Sequence, residues 1–305
     1  MQQILNGLVL GSIYALIALG YTMVYGIMGL INFAHGEVVM IGAMVTISVL
    51  GLLAHWGVHL PGVVQVLLAL MAAIPVCMLL GFTIERVAYR PLRNAPRLAP
   101  LITAIGLSIL LQNIAVLLWG RNYIPFPPLL PHHIILILGA SITDLQLVII
   151  VLALALMVSL LLVVEKTKLG RAMRATSQNP AVASLMGVNV NQIISATFMM
   201  GAGLAAIAGV MVAANYEQAH SQMGFLIGLK AFTAAVLGGI GNLGGAVVGG
   251  LLLGIIESLG AGYIGDLTGG FLGSNYQDIF AFAVLILVLV FRPSGLMGER
   301  VAERA

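Results

Sequence analysis

The chain has 305 residues, of which 61% are hydrophobic and only 8% are charged, and its formal net charge is +3. A soluble domain carries about 25% charged residues, so neither a soluble enzyme nor a nucleic-acid-binding protein fits this composition. Apart from Glu37, the first 84 residues contain no Asp, Glu, Lys or Arg. A membrane-spanning helix needs about 20 mostly apolar residues. Runs of this kind fill the chain and place it in a lipid bilayer.

Apolar stretches without charged residues follow one another along the chain. They cover residues 4–28, 38–54, 62–84, 98–118, 145–164, 192–214, 231–241, 245–263 and 279–291. The 231–241 stretch has the length of a half helix, and the last stretch is expected to begin upstream, around Tyr276. A barrel strand would alternate apolar and polar residues over about ten positions, whereas residues 147–164 are almost continuously apolar. We predict an all-α polytopic membrane protein, one domain over 1–305 with eight or nine transmembrane helices, some broken or re-entrant.

Most of the Lys and Arg side chains fall in three segments. These are Arg86, Arg90, Arg93 and Arg97, then Lys166, Lys168, Arg171 and Arg174, and finally Arg292, Arg300 and Arg304. The positive-inside rule assigns all three segments to the cytoplasm. With nine spans, the N-terminus is then outside and the C-terminus inside. Arg121 and Lys230 lie apart from these segments, each near an expected outer boundary where a long side chain can reach water.

Residues 119–143 are predicted to form an outer loop. They contain too many prolines for a continuous helix, which indicates a stiff cap: Pro125, Pro127, Pro128 and Pro131. Ser141 and Asp144 have the spacing of a capping box before the next apolar run. We therefore expect the next span to begin there.

Cys77 lies inside an apolar run and is expected to pack as a small hydrophobic residue.

The longest cytoplasmic connection, residues 165–190, contains the signals of a short helix at about 180–186. An Asn is a good N-cap, Pro suits the first helical position, and Gly can close the helix in a left-handed conformation. A helix this short is marginal alone. Its apolar side chains must therefore pack on the protein's own span ends or in a groove of a cytoplasmic partner. The residues of this predicted helix are Asn179, Pro180, Val182, Ser184, Leu185, Met186 and Gly187.

Two segments, 31–39 and 241–248, share an Asn, a Gly and a Val-Val pair in nearly the same spacing. Each lies where glycines interrupt an apolar run. If the match is an internal repeat, the chain has two related halves around a central path. Interruptions at corresponding places in two such halves point to a transport pathway, although so short a match also arises by chance. A broken helix exposes backbone that is tolerated only beside protein or a water-filled cavity. The candidate pathway residues are Asn32, Phe33, His35, Gly36, Glu37, Gly241, Asn242, Gly244 and Gly245.

Three ionisable residues need separate interpretation. Glu37 either faces the pathway or, as a carboxylate at a helix N-terminus, accepts backbone N–H bonds there. His35 has no second His, Cys or Asp at ligand spacing, so we predict no metal site. Glu257, near the outer end of a span, fits either a pathway or an interface position.

The glycine-rich segment 238–254 favours close helix packing through Gly241, Gly245 and Gly249. A phosphate-binding loop would be followed by Gly-Lys-Ser/Thr, and the chain has no Walker motif. We therefore predict that the chain does not hydrolyse ATP by itself, and we predict no cofactor.

Four segments carry a family resemblance: GYTMVYGIMGLINFAHGEV at 20–38, IERVAYRPL at 84–92, AIGLS at 104–108 and KAFTAAVLGGIG at 230–241. They resemble the permease of the bacterial high-affinity branched-chain amino acid ABC importer, the LivH type, and the similarity extends over nearly the whole chain. Permeases for urea and short-chain amides are similar in the same regions, so the substrate is less well defined than the family.

The resemblance implies an inner-membrane permease that is not itself an enzyme. It also implies three kinds of partner: a second, related permease in a heterodimer, two cytoplasmic ATPases, and a periplasmic protein that delivers leucine, isoleucine or valine. The helix at 180–186 falls where such permeases carry their coupling helix. Because the binding protein would select the substrate outside, we expect a permissive channel rather than a charged pocket.

Two other classes compete with this interpretation. An ion-coupled secondary transporter would need intramembrane acids or bases, and the sequence offers little beyond Glu37 and Glu257. A membrane enzyme would need a Ser/His pair or an acid cluster, and no convincing constellation is present. Vesicle uptake that responds to ATP rather than to an ion gradient would distinguish an ABC importer from an ion-coupled secondary transporter.

The predicted orientation can be tested by cysteine labelling. A cysteine introduced near Pro128 should react with an impermeant thiol reagent added outside intact cells, because the loop faces outward. Cysteines near Arg93 or Gln178 should stay unlabelled, because the positive-inside rule places both in the cytoplasm. Labelling of Arg93→Cys from outside would contradict the topology.

Overall fold

A computed structural model gives the structure of the chain and describes residues 1–58, 60–93, 95–96, 98–129, 133–137, 139–267 and 277–298. The sequence predictions on Arg97, Pro131, Tyr276, Arg300 and Arg304 lie outside the described residues. The described part is mostly helical, with four short strands. The predicted all-α class is confirmed.

Eleven α-helices occur in the described ranges. They are α1 (Gln2–Met28), α2 (His35–His55), α3 (Gly62–Thr83), α4 (Leu98–Trp119), α5 (Asp144–Lys166), α6 (Lys168–Gln178), α7 (Pro180–Leu185), α8 (Val190–Asn215), α9 (Met223–Gly238), α10 (Leu243–Leu267) and α11 (Gln277–Phe291). Seven of these are long and apolar enough to cross a membrane, and α9 and α11 are shorter apolar helices. All nine coincide with apolar stretches of the sequence, so a polytopic membrane fold is confirmed.

The limits predicted for α9 were wrong. The helix begins at Met223 instead of residue 231 and ends at Gly238, before Gly239 with φ +108°. Lys230, predicted at an outer boundary, lies inside α9 with 6% of its surface exposed. Carboxylates from two other helices neutralise it, as described below. Because its charge is neutralised, Lys230 can lie inside the helix and does not need to reach water.

Helix α1 lies at the centre of the bundle. It packs most extensively against α10 and also contacts α8, α9 and α5. Residues 11–24 of α1 are all buried. By contrast, α3, α4 and α5 expose large apolar side chains, among them Leu67, Leu117 and Val151. The core therefore surrounds α1, and the outer wall of α3, α4 and α5 presents a surface that suits lipid.

Small residues allow the central helices to approach closely. A Cβ added at Gly250 of α10 would lie 2.5 Å from the Cα of Ala15 in α1. A Cβ at Gly245 would lie 2.5 Å from the carbonyl oxygen of Gly238 in α9. These contacts confirm the close packing expected of the glycine-rich segment. Gly241 is different, because it has φ +98° and belongs to the turn between α9 and α10.

Four short strands lie at one end of the bundle, called here the hairpin end. Strand β1 (Ile124–Pro125) pairs antiparallel with β4 (Gln218–Ala219), and β2 (Ile134–Ile137) pairs antiparallel with β3 (Ala140–Thr143). The side chain of Gln2 joins α1 to this end, because its amide exchanges hydrogen bonds of 2.8 Å with the backbone of Ser141. Ser221 donates to the carbonyl of Gly120 over 2.8 Å.

The capping box before α5 involves different residues from those predicted. Thr143 is the N-cap: its Oγ1 accepts from the Gln146 amide at 3.3 Å, and its own amide donates to Gln146 Oε1 at 3.1 Å. Ser141 lies in β3 instead. Gln can replace the acid of the box because its side-chain oxygen accepts the same bond. The start of the helix was nevertheless predicted to within one residue.

The opposite end, called here the basic end, gathers the described members of the three cationic segments. After α3 the chain continues through a π-helical turn, Ile84–Tyr89. Arg93 donates to the buried Glu85 and, over 2.6 Å, to Asn191 in the first turn of α8. The Glu85 carboxylate also accepts from Ser195 Oγ at 2.6 Å. These bonds tie the segment after α3 to the start of α8.

The segment after α11 returns to the same end. The amide of Met297 donates to the carbonyl of Gly238 over 2.9 Å, and the carbonyl of Met297 accepts from the Asn242 side chain.

Helix α6 was missed by the sequence analysis, although Thr167 caps it by accepting from the amide of Gly170 at 3.1 Å. Cys77 is buried among apolar side chains, as predicted.

Candidate functional site

Asn32 holds the chain at the start of α2. Its side chain is 4% exposed, and its Oδ1 accepts from the amide of Ala34 at 3.1 Å and from the hydroxyl of Tyr89 at 3.0 Å. α1 ends at Met28, and residues 29–34 are not helical. An Asn side chain satisfies backbone donors at such a break. The interruption predicted in this segment is therefore present, and Asn32 stabilises it.

His35 and Gly36 serve close packing. The His35 ring is buried and lies edge-on to Tyr21, with ring centroids 4.9 Å apart. It sits against Gly20, where any side chain would collide with it. Gly36 lets α2 approach α9, since an added Cβ would lie 2.8 Å from the Cα of Gly228. Among the described residues, no group of three His, Cys, Asp or Glu side chains could hold a metal ion.

Glu37 is fully buried in the first turn of α2. Its Oε1 accepts from Ser108 Oγ at 2.9 Å and from Gln112 Nε2 at 2.8 Å, both on α4. Its Oε2 lies beside Gly224 and has no hydrogen-bond partner in the described chain. The predicted position at a helix N-terminus is correct, but the bonds that Glu37 accepts come from side chains of another helix. A carboxylate held this way links α2 to α4.

A groove of about 590 Å³ lies beside this carboxylate. Its polar lining consists of Ser108 and Gln112, the two residues that donate to Glu37, and of Gln222. The rest is mostly apolar and includes Phe33, Phe225 and Leu229. Phe33 also packs against Phe232 with ring centroids 5.6 Å apart. A groove that combines an apolar surface with a few polar groups is suited to a small amphiphilic ligand.

Asn242 caps the start of α10. Its Oδ1 accepts from the amide of Gly245 at 3.0 Å, and its Nδ2 donates to the carbonyl of Met297 at 2.9 Å. Gly241 lies in the preceding turn, and Gly244 has open space around its Cα apart from the Asn242 side chain. Thus the second interruption is also present, and an Asn stabilises it as in the first.

The two interrupted segments are not joined directly in the described structure. No hydrogen bond or ring contact there connects the residues around Asn32 with those around Asn242. The last part of α1 connects them indirectly, since it follows on to the first segment and its Tyr25 and Gly26 lie near Gly241. An internal repeat relating the two segments stays a prediction.

A buried cluster of ionisable groups was missed by the sequence analysis. The Nζ atom of Lys230 lies 2.6 Å from Glu257 Oε1 and 2.6 Å from Asp278 Oδ1. Glu257 is 1% exposed, so it lies inside the bundle and not at an interface with water. The cluster therefore joins α9, α10 and α11. The sequence shows each charge, but the pairing depends on helix packing.

Helix α7 has the predicted capping and an exposed apolar face. Asn179 Oδ1 accepts from the amides of Ala181 and Val182, each at 3.1 Å, Pro180 is the first helical residue, and Gly187 has φ +85°. The exposed fractions of the apolar side chains are 52% for Val182, 86% for Leu185 and 81% for Met186. Ser184 Oγ donates to the carbonyl one turn earlier. Within the residues that the structure describes, this apolar face does not pack on the protein's own span ends.

Comparison with known proteins identifies the family. A family model matches residues 3–289, and its description is "Branched-chain amino acid transport system / permease component". The chain belongs to this family. The permease is 48% identical to the high-affinity branched-chain amino acid transport system permease protein BraD of Pseudomonas aeruginosa, an alignment that covers 100% of this chain and 97% of the relative.

Two further relatives have the same kind of name. LivH of Escherichia coli K12, a high-affinity branched-chain amino acid transport system permease protein, is 44% identical over 100% of this permease and 97% of its own length. A probable branched-chain amino acid transport permease protein LivH of Methanocaldococcus jannaschii is 27% identical over 97% of this permease and 92% of its own length. The resemblance carried by the four sequence segments is confirmed, and neither urea nor amide permeases nor ion-coupled transporters are favoured.

Gln112 offers a direct test of the groove. The substitution Gln112→Leu removes a polar group from the wall and leaves Glu37 with Ser108 as its remaining donor. Because a hydrogen bond to a charged group contributes about 1.5–3 kcal/mol, we expect substrate uptake to fall about tenfold or more while the permease still inserts and assembles. Radiolabelled uptake and copurification measure the two effects.

The matched control is Asn113→Leu. Asn113 is the next residue on α4, is exposed, and donates only to the carbonyl of Ile109 in its own helix, over 2.7 Å. This variant should transport normally. Equal uptake by the Gln112 and Asn113 variants would show that the groove beside Glu37 does not contribute to transport.

Proposed function

We propose that the permease is the transmembrane subunit of an ABC importer that moves leucine, isoleucine and valine from a periplasmic binding protein into the cytoplasm. Separate ATPase subunits drive the cycle. The observation that carries this proposal is the similarity to branched-chain amino acid permeases over the full chain. The helical membrane fold and the exposed, capped helix α7 fit the same role.

The proposed location is the bacterial inner membrane, with the N-terminus outside and the C-terminus in the cytoplasm. Two observations support this orientation. The described members of the three cationic segments lie at the basic end, which the positive-inside rule assigns to the cytoplasm. The start of α1 lies at the hairpin end, because Gln2 bonds to Ser141 there.

The proposed pathway runs past the two interrupted segments. On one side are Asn32, Phe33, His35, Gly36 and Glu37, and the groove beside Glu37 supports their involvement. The other side is formed by Gly241, Asn242, Gly244 and Gly245. Both segments interrupt the helical backbone where a helix starts, and such interruptions at membrane depth are tolerated beside protein or a water-filled path.

Helix α7 is proposed as the coupling element within the cytoplasmic connection 165–190. A polar loop region that exposes apolar side chains to water is typical of a protein interaction site. Burial of Leu185 and Met186 in a groove of an ATPase would contribute roughly 1.5–3 kcal/mol each. The hydrogen bonds that Asn179 accepts stabilise the helix before the partner binds, so the contact can transmit movement as a rigid joint.

The proposed assembly contains this permease, a second related permease, two ATPases and the periplasmic binding protein. The groove that contains Phe225 supports a partner in the membrane, since it is open on the face that also exposes Leu226. Reconstitution tests the function as a whole. Vesicles that contain the assembly should take up leucine when ATP and the binding protein are present, and uptake driven by a proton or sodium gradient without ATP would contradict the proposal.

Leu185 provides the test of coupling. Leu185→Asp places an unpaired charge in the contact, and its burial there would cost several kcal/mol. The transmembrane helices should be unaffected. We expect normal membrane insertion, loss of copurification with the ATPases and loss of ATP-driven uptake.

Two matched variants complete this test. Leu185→Met keeps an apolar side chain and should retain both ATPase binding and uptake. Ala175→Asp adds the same charge at an exposed position of α6, and it should leave ATPase binding intact. Normal ATPase recruitment and transport by Leu185→Asp would mean that α7 is not the coupling element.

A further inference from the structure

The ionic cluster of Lys230, Glu257 and Asp278 is unusual in a membrane protein. Charged residues among transmembrane helices are costly and often mark substrate or ion pathways. With all three groups ionised, one ammonium faces two carboxylates, so the cluster carries one excess negative charge. A cluster that served only to join helices would be expected to balance its charges.

The three groups differ in their access to water. The side chain of Glu257 is 1% exposed and that of Lys230 is 8% exposed, whereas that of Asp278 is 35% exposed. Lys230 also lies over the ring of Tyr14, with its Nζ 6.0 Å from the ring centroid. Glu257 is thus the deep partner of the lysine, and Asp278 is the carboxylate that a ligand from outside can reach.

A cavity of about 370 Å³ opens beside the cluster toward the hairpin end. Lys230 and Asp278 line it together with polar side chains of several elements: Tyr123, Tyr216, Gln218, His220 and Gln277. Burial lowers the pKa of the His220 imidazole below its ordinary value. At neutral pH this imidazole is therefore uncharged and offers hydrogen bonds without adding a second cation.

The remaining surface of the cavity is mostly aliphatic. It is formed by Leu10, Ile13, Val212, Leu226 and Ile227, together with Met223 and Tyr14. Leu226 also lines the groove beside Glu37, so the two spaces share a wall formed by the first part of α9. The cavity therefore places charged and polar groups at one side and branched aliphatic side chains at the other.

We propose that this cavity is a binding site for a zwitterionic aliphatic amino acid on its way through the permease. The inference rests on the proposed function and adds a defined substrate site to it. The ligand's ammonium binds the accessible carboxylate of Asp278, which carries the excess negative charge. Its side chain packs against the aliphatic wall.

Lys230 and the surrounding polar groups receive the ligand's carboxylate. A lysine ammonium has three N–H donors. One of them donates to Glu257 Oε1 over 2.6 Å, and Asp278 Oδ1 lies at ion-pair distance. A remaining N–H, together with the tyrosine hydroxyls and Gln side chains of the cavity, can donate to the carboxylate. Glu257 then has a positioning role, because it holds Lys230 from the buried side of the cluster and does not contact the ligand. This arrangement differs from a channel without charged groups.

Asp278→Asn is the informative substitution. It removes the accessible carboxylate but leaves the Lys230–Glu257 pair intact and neutral, so the helices keep their buried contact. The measurement is equilibrium binding of radiolabelled leucine to the assembled importer without its binding protein. We expect the dissociation constant of leucine to rise about tenfold or more, because a charge-assisted bond is lost.

Two leucine analogues identify which part of the ligand is recognised. Isoamylamine keeps the ammonium and lacks the carboxylate, whereas 4-methylpentanoate keeps the carboxylate and lacks the ammonium. Asp278→Asn should weaken competition by isoamylamine and leave competition by 4-methylpentanoate unchanged. Glu217→Gln, which removes an exposed carboxylate near the hairpin end, should bind leucine and both analogues as the wild type does.

Three results would overturn the proposal. The first is the absence of saturable leucine binding to the wild-type assembly, and the second is leucine binding by Asp278→Asn within twofold of wild type. The third is an equal loss of leucine and 4-methylpentanoate together with a lower melting temperature, which would make the cluster structural. Each result leaves the proposed function standing if the wild type still imports leucine with ATP, whereas a failure of that import would refute the proposed function itself.

Discussion

Hydrocarbon offers no hydrogen bonds, so every polar group among the membrane helices depends on a partner within the protein. Thr46 and Thr233 meet this constraint locally, by donating to carbonyls of their own helices. Charged groups need partners from other helices: Glu37 takes donors from α4, and Lys230 takes acceptors from α10 and α11. Each charge therefore fixes its helix against one or two others. The arrangement of helices around α1 depends on these pairs as well as on apolar packing.

The same constraint explains which parts of the fold could be predicted from the sequence. Hydropathy located the spans, because a helix of about 20 apolar residues needs no information from distant parts of the chain. Local capping signals located α7, since Asn179 and Gly187 act within a few residues. The predicted start of α9 was wrong because Lys230 was expected to lie at the membrane boundary, in contact with water. Its neutralisation by Glu257 and Asp278 depends on tertiary packing.

In the candidate site, too, local features could be predicted from the sequence and contacts between distant residues could not. The Asn and Gly residues of the two interruptions could be found by inspection, because capping and turn formation are local. The donors to Glu37 lie 71 and 75 residues away in sequence, at Ser108 and Gln112. No periodicity or spacing joins them. The lining of one cavity by Lys230 and Asp278 could not be predicted for the same reason, because the two side chains come from different helices.

Exposed apolar surface has two meanings in this protein, and position distinguishes them. Leu117 of α4 and Val151 of α5 lie on helices that cross the membrane, where lipid covers them without cost. Leu185 is the last residue of a six-residue helix and Met186 is its C-cap, in a charged connection at the basic end, outside the transmembrane helices. In the isolated chain these two side chains are exposed to water, which is unfavourable for large apolar groups. The exposure of α7 is therefore an argument for a protein partner, whereas that of α4 and α5 is an argument for the bilayer.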